Sequence, residues 1–130
     1  MTDNAATWAV AGLMVLAALI FAAFWVTWFR QKHDQAWLPA GYRDHEFPFV
    51  FSDTVLALLL VTAAVLLVLE EPLGESLALV AGGMLVFLGI LDTAYFWRTG
   101  MFAPEHEGYA NLAIVVAALA GGVFLIVRFA

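Results

Sequence analysis

The sequence predicts an all-α polytopic membrane protein, a single-domain antiparallel four-helix transmembrane bundle. Three observations carry this. Of 130 residues, 65% are hydrophobic and 12% charged, against about 45–50% and about 25% in soluble domains, so too little polar side chain is left to cover a surface facing water. The apolar residues gather in four segments, about 6–29, 49–69, 75–97 and 109–127, each near the roughly 20 residues that cross a hydrocarbon core. The connection Glu70–Gly74, EEPLG, is short enough to force the second and third segments into an antiparallel hairpin.

Composition also excludes some partners and chemistries. Without cysteine there is no disulfide framework, thiolate metal site or thiol nucleophile. A net charge of −6 argues against a nucleic-acid partner, which is bound through clustered Lys and Arg. The partners expected are the lipid bilayer and either further copies of the chain or a larger membrane protein.

The first segment follows MTDNAATWAV, which lacks the positive start of a secretory signal. The apolar run behind it is too long for one, so it reads as a retained membrane helix. Neither end carries a lipidation motif. The first loop, Arg30–Pro48, holds Arg30, Lys32 and Arg43. The third loop, Arg98–Gly108, opens on Arg98, while the other side has Arg128 alone beside Glu70, Glu71 and Glu75. The positive-inside rule therefore puts the first and third loops in the cytoplasm and both termini outside.

Every segment carries a stripe at helical spacing. The stripes are Ala11, Val15, Ala18, Ala22 and Trp25 in the first segment, and Asp53, Ala57, Leu60, Ala64 and Leu67 in the second. The third has Ala78, Gly82, Leu85, Gly89, Asp92 and Phe96, and the fourth Asn111, Val115, Ala118, Gly122 and Leu125. Small residues on a stripe let helix backbones approach, which is what drives association in lipid.

Asp53, Asp92 and Asn111 fall on these stripes and at one level. Asp53 and Asn111 lie in the first turns of their segments, and Asp92 lies six residues before Arg98, about 9 Å along the helix. They are the expected ligand-binding residues of a polar pocket in the cytoplasmic leaflet, with Trp25, Tyr95 and Phe96 supporting it. A carboxylate in the bilayer costs about 2.5–3.5 kcal/mol at its centre, so Asp92 should face protein or water. Each residue also has a plainer reading. Asp53 could cap its helix, Asn111 could tie helices together, and Asp92 could pair with Lys32, Arg43 or Arg98.

All three histidines lie in the first and third loops beside acids: His33-Asp34, Asp44-His45-Glu46 and Glu105-His106-Glu107. His45 and His106 are weak candidates for a metal site, since no recognised ligand spacing supports one and solvated loop residues explain them more simply. No catalytic motif is present and no cofactor is implied. The first loop, with Trp37-Leu38-Pro39 and Phe47-Pro48-Phe49, could lie over the polar cluster as a lid.

Three functional readings follow. The first is a small membrane protein that binds or transports a small cation, a proton or a polar headgroup. The second is an accessory or scaffold subunit of a larger membrane complex. The third, a membrane enzyme acting on lipid headgroups with His45 or His106, has no motif behind it.

Overall fold

Helices account for most of residues 4–130, the part of the chain that the computed structural model describes. The first residues of the stretch read as lacking the positive start of a secretory signal, Met1–Asp3, lie outside them. The order is α1 (Asn4–Arg30), α2 (Tyr42–Glu46), α3 (Phe49–Val68), α4 (Pro72–Thr99), a 3₁₀ turn at Pro104–His106 and α5 (Gly108–Phe129). Four of these, with α2 and α3 taken as one span, are long and apolar enough to cross a membrane.

The boundaries follow from local chemistry. The third apolar segment begins at Pro72, three residues before the expected start, because proline has no N–H to lose at the first helical position. It ends at Gly100, whose φ of +74° is a left-handed cap. There the Met101 N–H reaches back to the Phe96 carbonyl at 2.9 Å, and the two side chains pack together in a buried cluster. The hairpin between α3 and α4 closes in the same way, with Glu71 N–H on the Leu66 carbonyl at 2.9 Å. Its left-handed residue, however, is Glu70 at φ +60°.

One element was not expected. Residues 42–46 of the first loop form α2, which runs almost directly into α3. Pro48 separates them, since it cannot donate to the helical ladder.

Each long helix packs on its neighbour in the chain: α1 on α3, α3 on α4, and α4 on α5. Among the described residues α1 and α5 make no close backbone approach, so the row does not close on itself at that flank. The tightest contact is between α4 and α5. A methyl group placed on Gly122 would lie 2.7 Å from the Gly82 carbonyl oxygen, so glycine is what lets these backbones meet. Gly89, further along α4, meets Ala118 and Leu119, earlier in α5. Position rises on one helix as it falls on the other, so the pair runs in opposite directions.

The core is apolar and made largely of α3 and α4. Leu56, Leu60 and Ala63 of α3 and Ala78 and Ala81 of α4 are buried almost completely. The sequence stripes mark these faces well, with one exception: Ala22 of α1 is exposed, and Met14 and Trp28 are buried instead. With only α3 to pack against, α1 buries a narrow and slightly rotated strip.

Candidate carboxylate site at the α2–α3 end

Where α1 ends, α2 and α3 meet and α4 nears its last turns, three acids gather. Asp53 is the fifth residue of α3 and is 9% exposed. Its Oδ2 accepts a 2.8 Å hydrogen bond from the Trp25 Nε1 of α1. The carboxylate therefore serves a tertiary contact rather than capping its own helix. Asp92 of α4 is half-buried, and its charge and that of Asp53 act on each other. The structure thus brings together two of the three residues expected to meet.

The third acid is Glu46, the last residue of α2, which is 7% exposed. It lies within electrostatic range of both Asp92 and Asp53. Its Oε1 is buried and has no hydrogen-bond partner. Glu46 was read from the sequence as a loop acid. The available signal was its spacing of seven from Asp53, two helical turns, obscured by Pro48 in between.

Two further polar atoms are orphaned in the same way, the Nε2 of His45 and the hydroxyl of Tyr95. Their rings stack with centroids 3.7 Å apart and planes 6° from parallel, joining α2 to α4. Tyr95 and Tyr42 both lie within electrostatic range of Glu46. The Tyr42 hydroxyl accepts from Trp28 Nε1 at 3.2 Å. Buried polar groups are almost always hydrogen-bonded, so three unpartnered atoms around one acid cluster set this end of the bundle apart from its apolar core.

No ion pair joins a Lys or Arg to any of the three carboxylates among the described residues. The plainer alternative for Asp92, a pair with Lys32, Arg43 or Arg98, is therefore not formed among the described residues. Arg43 instead lies over the Trp28 ring, 6.0 Å from its centroid.

Asn111 is used elsewhere. Its side-chain amide donates to the carbonyls of Met101 at 2.8 Å and His106 at 3.4 Å, tying down the turn that precedes α5. Phe96 is buried, but with Met101 and Val115 in a cluster beneath the first loop. Trp37 and Leu38 pack on that cluster, and the Trp37 ring stacks on His106 at 5.0 Å and 7°. The first loop thus reaches across to the third.

The histidines serve different ends. His33 Nε2 donates to the Trp28 carbonyl at 2.7 Å, and His106 Nδ1 meets the Gly100 carbonyl at 3.0 Å. His45 is not a solvated loop residue. Among the described residues no three His, Asp or Glu side chains are grouped so as to hold one metal ion. No protein-family model, curated protein sequence or solved structure matches the chain.

Proposed function

We propose that the chain is a multi-pass membrane protein, its long helices forming an antiparallel bundle, that binds a proton or a positively charged polar headgroup at the end where Glu46, Asp53 and Asp92 lie. Large exposed side chains such as Leu58, Phe87 and Ile90, each more than half exposed, support the membrane assignment. The surface they form is one that lipid, not water, would cover. With Arg30, Lys32, Arg43 and Arg98 at the site's end of the chain's spans, that end faces the cytoplasm.

The observation that carries the proposal is the cluster of three acids with no basic partner and an unpartnered oxygen on Glu46. Uncompensated charge in a low-dielectric interior is costly. Positive charge supplied from outside the chain offsets it.

Binding is favoured over conduction through one copy. From Asp53 to Leu67, α3 continues for 14 residues, about 21 Å. The buried side chains along it and facing it, Leu56, Leu60, Ala64, Ala78 and Leu85 among them, are all apolar. An ion has no polar step to follow there.

The test is tryptophan emission of the protein in lipid nanodiscs, titrated with ethanolamine and, separately, with acid. Trp25 reports directly on Asp53. At least one probe should change the emission saturably in the native protein and fail to do so in E46Q, D53N and D92N. Flat titrations with both probes would end the proposal.

A second reading, a subunit that assembles with further copies or with a larger membrane partner, is favoured by α5. It exposes Ala113, Ala117 and Ala120 on one side and α1 does not cover it. Small residues of this kind allow close helix contact. The mass of the detergent-solubilised particle, corrected for bound detergent, distinguishes one copy from several.

A further inference from the structure

A second feature lies on a face of α4 other than the one that carries Asp92. Between α4 and α5 runs a groove of about 360 Å³ lined by Ile90, Thr93, Ala94, Trp97, Arg98 and Leu119. We infer that this groove seats one acyl chain of an anionic phospholipid whose phosphate is held by Arg98.

The groove is apolar along its length. The Thr93 hydroxyl is already spent on the Gly89 carbonyl of its own helix at 2.7 Å, so it asks nothing of an occupant. Ala94 leaves the furrow open, and Trp97, 78% exposed, stands as one wall. Such a ring settles at the level of the headgroups.

Chemistry changes in one direction along the groove. Arg98 lies eight residues beyond Ile90, about 12 Å toward the end of α4. That is the order of a lipid, hydrocarbon first and phosphate last. The Arg98 guanidinium makes no hydrogen bond or ion pair among the described residues, including with Glu105 and Glu107 of the loop that follows. All five of its donors are therefore available to phosphate oxygens. It shares its side of the chain with Arg30, Lys32 and Arg43, the side on which anionic lipid is concentrated.

This inference rests on the membrane assignment but not on the carboxylate site. The test is native mass spectrometry of the detergent-solubilised protein supplied with equal phosphatidylglycerol and phosphatidylcholine. The native chain should retain phosphatidylglycerol about fivefold better, the value of roughly one basic residue at an anionic surface. R98Q should abolish that preference, R98K should keep most of it, and A94W, which fills the furrow, should lose both lipids. Ala94 and Arg98 are exposed, and unchanged helical circular dichroism confirms that the variants fold. Equal retention of the two lipids by the native chain overturns the inference. So does a preference that survives R98Q, or lipid retention that survives A94W. A chain that stays in solution without detergent would instead overturn the membrane assignment itself.

Discussion

The Trp25 indole N–H donates a 2.8 Å hydrogen bond to the Asp53 carboxylate, 28 residues further along the chain. This contact ties α1 to α3 at the level of the acid cluster. A hydrogen bond to a charged group is worth about 1.5–3 kcal/mol. W25F should therefore lower the thermal midpoint, and D53N, which keeps an acceptor oxygen, should lower it less. A double-mutant cycle on the pair should show coupling. Additive effects would mean the bond contributes nothing.

The contact of α4 with α5 depends on glycine at specific positions. In G122A the new methyl group meets the Gly82 carbonyl and the Val86 backbone, both closer than 3 Å, and overpacking of this kind costs about 1–3 kcal/mol. G83A is the control. Nothing lies within 4 Å of a methyl group there, so helix propensity alone should leave stability unchanged or raise it by up to about 1 kcal/mol. Thermal melts of the two variants should separate clearly.

Glu70 occupies a left-handed conformation at φ +60°, where a side chain costs about 1–2 kcal/mol and glycine almost nothing. E70G should raise the melting temperature by relieving that cost. Unchanged or lower stability would show that the Glu70 side chain has a contact that outweighs its backbone.

Asn111 and the acids should separate by phenotype. N111A loses two hydrogen bonds to loop carbonyls and should cost about 1–2 kcal/mol, yet leave the response to cations or protons intact. E46Q should do the reverse, since it removes the ionisable group while keeping the shape of the side chain. If N111A abolished the response and E46Q did not, the site would have been placed wrongly.

Much of the helical framework was legible because its signals are dense and local. Four apolar runs give four long helices, and stripes such as Ala78, Gly82, Leu85 and Gly89 mark a face that the structure buries. That Asp53 and Asp92 lie within electrostatic range of each other is in keeping with their depth and stripe. Other parts could not. The helix at 42–46 is too short and polar to show hydrophobic periodicity, and Pro48 hides that Glu46 continues the face of Asp53. Asn111 shares the stripe of its helix, but the nearest carbonyls of its own loop capture its amide before any residue on another helix can. Whether α1 meets α5 depends on contacts between the two ends of the chain, which single-helix stripes do not encode.

The central claim is that Glu46, Asp53 and Asp92 together hold positive charge supplied from outside the chain. Infrared difference spectroscopy of the carboxyl and carboxylate stretches tests this most directly, in the native protein and in the triple variant E46Q/D53N/D92N. The account predicts that changing ethanolamine or proton concentration alters buried carboxyl bands in the native protein and that these changes vanish in the triple variant. A native protein whose carboxyl bands ignore both, or a triple variant that shows the same changes, would contradict it.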